Sequence, residues 1–323
     1  MNDVVLVTGG AGFIGSHACK ELYKLGFTPV VLDNLSRGNK KSVKWGDFIN
    51  GDIRDYDLLV KTFNKYKPIA VMHFAAFAYV GESILKPKLY FENNVIGTIN
   101  LMNAIKSANI KRIIFSSSCA TYGISNKIIN EKHLQNPVNP YGNSKYMCEK
   151  IIKDYSKAYG IKYAILRYFN AAGSDPDMEI GECHNPETHL IPLVLDVALG
   201  KRKNIVIFGD NYDTNDGTCV RDYIHVSDLA NAHVQFVTLL LQDCNDNYIV
   251  NLGNGKGYSV KEIITITEKI TGHVVPYTIS GRRAGDPATL VANPSLSKKI
   301  LNWQPKYNKI EDMIIHSYNW KNQ

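Results

Sequence analysis

The chain has 323 residues, 45% of them hydrophobic and 21% charged, the balance of a soluble globular protein with room for one large domain or two ordinary ones. Its formal charge of +7 comes from lysines spread along the chain without forming a stripe, which argues against a nucleic-acid partner. The longest apolar runs, such as residues 69–81, fall short of the roughly 20 needed to cross a bilayer, so no membrane span is expected.

The strand-like run VVLVTG (4–9) follows the initiator Met with no basic n-region or cleavage site, and a cytoplasmic location is expected. Further β-rich runs are TPVVLDN (28–34), FINGDI (48–53), IAVMHFAA (69–76), RIIFSSS (112–118) and YAILRYFN (163–170). Between them, helical periodicity covers 14–25, 55–66, 89–108 and 143–159. Near-continuous apolar strands separated by helices predict an α/β fold with a doubly wound parallel sheet. In the segment 143–159, Met147, Ile151, Tyr155 and Ala158 form the apolar face, and Gly160 is the stop.

After about residue 171 the alternation weakens into the long polar stretch AAGSDPDMEIGECHNPETH, and a domain change is placed there: 1–171, then a smaller mixed α/β domain over 172–323, with about 219–252 returning to the first. This second half is read as a helix at 189–199, a strand IVIFGD (205–210), a helix opened by the capping box Ser259 to Glu262, and a last helix after KIEDM. The six cysteines, Cys19, Cys119, Cys148, Cys183, Cys219 and Cys244, contain no C-x-x-C pair, so neither a metal site nor a disulfide framework is expected.

VTGGAGFIG (7–15) sets Gly9, Gly12 and Gly15 at the first strand-to-helix junction, where bare backbone and a helix N-terminus suit a pyrophosphate. A ligand-free tight turn is the plainer reading of the glycines alone. The second strand, however, ends in Asp33, whose carboxylate suits a ribose 2′-hydroxyl and repels a 2′-phosphate, favouring NAD over NADP. Arg37 is the counterargument, or else a solvated loop residue; Asp52 is placed to reach an adenine amino group or to form an Asx-turn.

NPYGNSK (139–145) places Tyr141 and Lys145 at i and i+4 around a helix start. A phenol keeps its proton to about pH 10. A nearby ammonium favours the phenolate, and such a tyrosine can exchange a proton with an alcohol whose carbon exchanges a hydride with NAD. At the end of the fifth strand, Ser118 can share its hydroxyl with the reacting oxygen, while Ser117 is read as bonding to backbone.

These strings, with LDNLSRG, GDIRD, HFAA, VGES, ENNVIGT, TYG, LRYFNAAG, DGTCVRDYIHVSDLANAH, NLGNGKG, RRAGDP and LNW, run the whole chain. Together they resemble the extended short-chain dehydrogenases/reductases, and within them the UDP-glucose 4-epimerases. The resemblance implies a Rossmann domain with Ser118, Tyr141 and Lys145 as the catalytic set. It implies an NAD site lined by Gly9, Gly12, Phe13, Ile14, Gly15, Asp33, Asn34, Asp52, Ile53, Phe74, Ala75, Asn93, Ser116 and Tyr168, along with Tyr141 and Lys145. A UDP-sugar would be held by Asn170, His189, Leu190, Phe208, Arg221, Tyr223, Arg283, Asp286 and Leu290, besides Ser118 and Tyr141. Two arginines suit a diphosphate better than lysines do. The implied reaction oxidises the sugar C4 hydroxyl, lets the 4-keto sugar turn, and returns the hydride to the opposite face. A homodimer through the helices at 89–108 and 143–159 is implied as well.

The chain departs from the pattern at Ala78, where some members carry a lysine, and at His189, where others have asparagine facing the substrate. Cys119, Ala120 and Thr121 offer no carboxylate beside Ser118, which disfavours a dehydratase; Cys119 itself is read as a small buried hydrophobe. Leu290 replaces a bulky tyrosine and could admit N-acetylated hexoses. UDP-pentose epimerisation, net UDP-sugar dehydrogenation and a non-catalytic NAD-binding sensor or scaffold are the competing readings.

Overall fold

The computed structural model describes residues 3–125, 128–242, 246–283 and 285–323, so Cys244 lies outside the described residues. In chain order the first elements are β1 (Val4–Thr8), α1 (Phe13–Lys24), β2 (Thr28–Asp33), β3 (Asp47–Asn50), α2 (Tyr56–Tyr66), β4 (Ala70–His73), α3 (Val80–Leu85), α4 (Pro87–Tyr90), α5 (Gly97–Ser107), β5 (Arg112–Ser118), α6 (Pro140–Tyr159) and β6 (Lys162–Tyr168). There follow β7 (Asn170–Ala172), α7 (Leu190–Ala198), β8 (Ile205–Phe208), β9 (Val220–His225), α8 (Val226–Leu241), β10 (Tyr248–Leu252), β11 (Gly257–Ser259), α9 (Val260–Thr271), β12 (Tyr277–Ser280), β13 (Thr289–Leu290), α10 (Ser295–Leu301) and α11 (Ile310–Lys321).

The seven-stranded sheet has the order β10-β6-β5-β4-β1-β2-β3. β1 pairs in parallel with both β2 and β4, and the same sense continues into β3 and β5. Strands covered on both faces read as unbroken apolar runs, as β1, β2, β4 and β5 do. The strand order reverses between β1 and β4, and the crevice beyond the carboxyl ends of strands at such a point is where doubly wound sheets bind ligands.

The helical reading at 89–108 resolves into three pieces, α4, a π-helical turn over Phe91–Ile96, and α5. The wide turn buries Asn93 and Asn94, a distortion that often marks a functional position. α6 begins three residues earlier than the periodicity suggests. Asn139 caps it by accepting the Gly142 N–H at 2.8 Å, and Pro140 occupies the first turn, where a missing N–H costs nothing.

The buried face of α6 also differs from the expected one. It carries Tyr141, Ser144, Lys145, Cys148, Glu149, Ile152 and Ser156, whereas Met147 is 44% exposed and Ile151 and Tyr155 are only partly buried. Polar side chains with specific partners take the centre of that face, and Ile151 and Tyr155 pack at the margin of the core.

The chain folds as two compact units: 1–123 with 134–167 and 230–250, and 124–133 with 168–229 and 251–323. The first is built on the large sheet and a core including Leu6, Leu32, Phe63, Leu101, Ile113 and Ile152. The second packs α7, α9 and α11 around Leu195, Ile207, Ile263 and Met313. Its small sheets join β11, β9, β13 and β7, and separately β8 with β12. The Ser259 capping box opens α9 as expected. Among the described residues no helix is long and apolar enough to cross a membrane.

Candidate active site

Bare backbone is required at the turn after β1. Gly9 has φ +74°, and a Cβ there would lie 2.5 Å from the Ala75 N and 2.8 Å from the Phe74 C. A Cβ on Gly15 would stand 2.3 Å from the Gly9 O, so the first turn of α1 sits directly on the loop. Gly12 differs: its φ is −79° and a Cβ would meet only the Gly9 O, at 3.2 Å. Two of the three glycines therefore serve the packing of the loop, and the third leaves the helix N-terminus uncovered.

Asp33 closes the loop from the end of β2. Its Oδ2 accepts the Ala11 N–H at 3.0 Å and its Oδ1 the Leu35 N–H at 2.8 Å. Burial raises its pKa, against the pull of those two donors. Asn34 donates to Asp52 Oδ2 at 2.8 Å, and Asp52 is also gripped through both oxygens by Arg54, which takes its carboxyl down to about 2. Ile53 is buried, its Cδ1 filling the space above Gly97.

Arg37 is not a solvated loop residue. Its guanidinium nitrogen lies 2.8 and 2.7 Å from the two Glu82 oxygens and its Cζ stands over the Phe77 and Tyr79 rings at 5.3 and 4.8 Å. That commitment to a carboxylate removes the argument for a 2′-phosphate partner. Glu82 also accepts from the Tyr90 hydroxyl at 3.0 Å, and the Tyr90 ring meets the Tyr141 ring edge-on, with centroids 6.5 Å apart.

Ser118, Tyr141 and Lys145 come together in the first unit. Ser118 ends β5, is buried, and its Oγ accepts the Ala120 N–H at 3.2 Å. Ala120 packs on the cluster of Phe77, Tyr90 and Tyr141. Gly142 allows this approach, since a Cβ there would be 2.5 Å from the Ala120 O. Lys145 is 3% exposed and donates from Nζ to the Ser116 O at 2.8 Å. Burial pushes its ammonium down to about 8.

The polar bed under this pair is filled by residues the sequence reading passed over. Asn94, from the π turn, donates to Ser144 Oγ at 2.9 Å and to the Phe77 O at 3.0 Å. His73 lies between Thr8 Oγ1 at 2.8 Å and Thr98 Oγ1 at 3.0 Å, and burial with the nearby Lys145 takes its pKa to about 3. Because Thr98 donates to the Asn94 O, the network assigns the His73 proton to Nε2. Ser117 bonds a side chain and not backbone: its Oγ donates to Glu149 Oε1 at 2.6 Å. Glu149 in turn is held by Arg167 at 2.9 and 2.6 Å. Cys119 is buried, as a small hydrophobe would be, and Ala78 is exposed.

Of the other residues expected at NAD, Phe13 and Ile14 open α1, Phe74 and Ala75 follow β4 with N–H groups on the Thr8 O at 2.9 and 3.0 Å, and Tyr168 ends β6. Asn93 is buried in the π turn and donates to Asn94 Oδ1 at 3.0 Å.

The second unit brings Asn170, Arg221, Tyr223 and Leu290 onto one sheet, while Phe208 lies on β8, His189 and Leu190 at the start of α7, and Arg283 and Asp286 in a loop. Asn170 is in register with Tyr223, and Leu290 with Arg221. Asn170 donates to the Asp222 O at 2.9 Å, and Arg221 to the Pro287 O at 2.9 Å with Asp286 3.8 Å away. Arg283 lies over the Phe208 ring at 3.8 Å. Asp222, beneath this sheet, accepts the N–H groups of Asn254, Gly255 and Ala292 at 2.9, 2.9 and 3.1 Å, and is a structural hub no sequence signal announced. His189 precedes Leu190 at the start of α7 without capping it, and its Nδ1 is turned to Glu182 Oε1.

The profile of the NAD dependent epimerase/dehydratase family matches residues 5–253. UDP-glucose 4-epimerase of Halalkalibacterium halodurans is 50% identical over 98% of this chain and 95% of its own length. Among solved structures, UDP-glucose 4-epimerase from Brucella ovis in complex with NAD is 50% identical, with a TM-score of 0.96 and coverage of 99% and 98% of the two chains. The Bifidobacterium longum enzyme in complex with NAD+ and UDP is 39% identical, with a TM-score of 0.94 and coverage of 99% and 98%. The seven-stranded parallel sheet agrees with these likenesses, and the chain belongs to the NAD dependent epimerase/dehydratase family.

Proposed function

We propose that the chain is an NAD-dependent UDP-hexose 4-epimerase interconverting UDP-glucose and UDP-galactose, with NAD on the first unit and the nucleotide of the UDP-sugar held by the second. The observation that carries this reading is the buried Tyr141 and Lys145 pair on α6, set against the end of β5 in the same unit as the glycine turn. The uncovered α1 N-terminus at Gly12 and the Asp33 carboxylate suit the pyrophosphate and the adenosine ribose of NAD. Bound NAD supplies reversible hydride acceptance at the sugar C4.

Tyr141, as phenolate, takes the proton of the C4 hydroxyl, and Lys145 favours that phenolate electrostatically. Ser118 donates a hydrogen bond to the reacting oxygen. After the 4-keto sugar turns, Tyr141 returns the proton. Arg221 and Arg283, with Asp286, Asn170, Tyr223, Leu190 and Phe208, are the residues assigned to UDP; His189 turns its Nδ1 to Glu182, so any contact it makes with the sugar is through Nε2. Purified protein should convert UDP-galactose to UDP-glucose with no NAD added. Tyr141→Phe should retain NAD and UDP-sugar yet lose nearly all turnover; near-normal activity of that variant would overturn the reading.

Leu290 supports a wider substrate range. It is half-buried beside Arg221 in the sheet and smaller than tyrosine, so we assign UDP-N-acetylglucosamine as a second substrate. Absence of any conversion of that sugar by enzyme active on UDP-glucose would remove the assignment. A homodimer is part of the proposal: Ile96 and Met147 are 49% and 44% exposed on the segments 91–107 and 140–159. Light scattering of the purified protein at about one chain mass would refute it. The buried reduced thiols of Cys19 and Cys148 support a reducing, cytoplasmic setting.

A further inference from the structure

The loop that leads into α7 gathers four ligand-type side chains that the epimerase reading leaves unused. In GECHNPETHL, one atom each from Glu182, His184, Glu187 and His189 lies within 4.8 Å of the others. Glu182 Oε1 is 2.9 Å from His184 Nδ1 and is also met by His189 Nδ1, while Glu187 Oε1 is 3.8 Å from His184 Nδ1. The cluster is built and not merely adjacent in sequence. Gly181 is pressed under the Trp320 ring, where a Cβ would be 2.4 Å from Cδ1, and Trp320 Nε1 donates to the Glu182 O at 3.3 Å. Glu187 Oε1 meanwhile accepts the Thr188 and His189 N–H groups at 2.7 and 2.9 Å, orienting that carboxylate.

An independent observation points to a ligand. The Glu182 side chain is 4% exposed, and its second oxygen, Oε2, is buried with no hydrogen-bond partner. Two imidazole nitrogens thus compete for one oxygen while the other has none, a poor use of a group with about four acceptor sites. A dication in place of the two imidazole protons would end the competition for Oε1, since each Nδ1 becomes a lone-pair donor, and would place a positive charge beside the carboxylate that holds the unpartnered Oε2. Ligand bonds of about 2.0–2.2 Å give a tetrahedron with edges of about 3.3–3.6 Å; Glu187 Oε1 and His184 Nδ1, 3.8 Å apart, lie near such an edge, and the shorter Glu182 Oε1 contacts to the two imidazoles, that to His184 at 2.9 Å, would lengthen to reach it. Two imidazoles with two carboxylates favour zinc over calcium or magnesium.

We propose that Glu182, His184, Glu187 and His189 bind one divalent zinc ion, which pins the 173–189 loop ahead of α7. The sequence reading missed it by looking for cysteine pairs. Cys183, between two of the ligands, is exposed and outside the donor set.

The test uses the full-length chain without an affinity tag, purified without chelator, incubated with zinc sulfate and passed through gel filtration before elemental analysis. About one zinc per chain is expected, falling at least tenfold in His184→Asn and unchanged in Cys183→Ser. The His184→Asn protein is checked by circular dichroism and by its bound nicotinamide. Should that variant fail to fold, cobalt(II)-loaded wild type decides: tetrahedral d–d absorption without a thiolate charge-transfer band is expected. Less than a tenth of an equivalent of zinc in wild type would overturn the proposal in favour of a proton-held cluster. So would zinc retained in folded His184→Asn or lost in Cys183→Ser, or cobalt bound through thiolate.

Discussion

Alanine at Gly12 and at Gly15 should separate what the glycine turn does for the fold from what it does for NAD. At Gly15 the new Cβ would stand 2.3 Å from the Gly9 O and 2.9 Å from the Gly10 Cα. Both are backbone and cannot swing aside. Overpacking of this kind costs up to about 3 kcal/mol, of which alanine's better helix propensity returns about 1. A net loss near 2 kcal/mol lowers Tm by about 4–8 °C in a domain of this size. At Gly12 the backbone is already in a region open to any residue, and the nearest atom is the Gly9 O at 3.2 Å. Its steric cost is about 0–1 kcal/mol.

A methyl group at Gly12 nevertheless stands where the proposed NAD site sets its pyrophosphate against the α1 N–H groups. Loss of one charge-assisted hydrogen bond, about 1.5–3 kcal/mol, weakens NAD about 10- to 100-fold. Gly12→Ala should therefore be purified folded but depleted of nicotinamide, with turnover that depends on added NAD. Gly15→Ala weakens NAD as well, so the difference in Tm between the two variants, both stripped of cofactor, isolates the steric term. Stoichiometric nicotinamide in Gly12→Ala, or equal melting of the two, would refute the division of labour.

Arg167→Met should cost about 3–5 kcal/mol in urea unfolding, because it takes from Glu149, whose side chain is 0% exposed, both guanidinium hydrogen bonds and leaves it the more distant Lys153 ammonium at 3.8 Å. In the wild type, burial opposes the Glu149 charge but Arg167 and the hydrogen bonds hold its pKa below the ordinary 4.5. That stabilisation is present above pH 4.5 and is lost as pH falls through the lower folded value, so acid unfolding should be shallower in the variant. Lys145, brought down to about 8 by burial, should give kcat/KM an alkaline limb near pH 8. Lys145→Arg, permanently charged, should show no such limb in its residual activity. Asp222→Asn should cost about 1–3 kcal/mol, since an amide nitrogen facing backbone N–H groups leaves at least one donor unmet. Burial raises Asp222 from 3.8 to about 6, so the folded chain binds its proton more tightly and stability falls as pH climbs between those values; the variant should lack that slope.

The elements legible in the sequence are those whose signal is local. β5 runs over residues 112–118 as its apolar run predicts, and Ser259 with Glu262 marks the start of α9 without reference to anything distant. The tight turn after β1 is legible because glycine is the one residue whose absence of a side chain is itself visible. What escaped is set by pairing across the chain. Arg37 reads as a loop cation until Glu82, 45 positions away, engages it through both carboxylate oxygens. The small sheet of the second unit joins β7, β9, β11 and β13, strands of six residues or fewer drawn from distant segments, and no periodicity survives at that length.

The helix bearing Tyr141 and Lys145 states the general reason most sharply. Apolar periodicity assigns its inner face to Met147, Ile151 and Tyr155, whereas the buried face carries a phenol, an ammonium, a thiol, a carboxylate and two serine hydroxyls. Such a face is stable only because its polar groups find specific partners: Ser144 in Asn94, Lys145 in the Ser116 carbonyl, Glu149 in Arg167 and Ser117. A sequence rule that rewards apolar burial must read this helix rotated. Sites where patterning fails while the polar groups remain satisfied are where function overrides packing, and here the failure falls on the helix whose first turn carries the proposed proton chemistry. Met147, 44% exposed, is then turned away from the core, so one rotation links the face bearing Tyr141 and Lys145 to the proposed dimer.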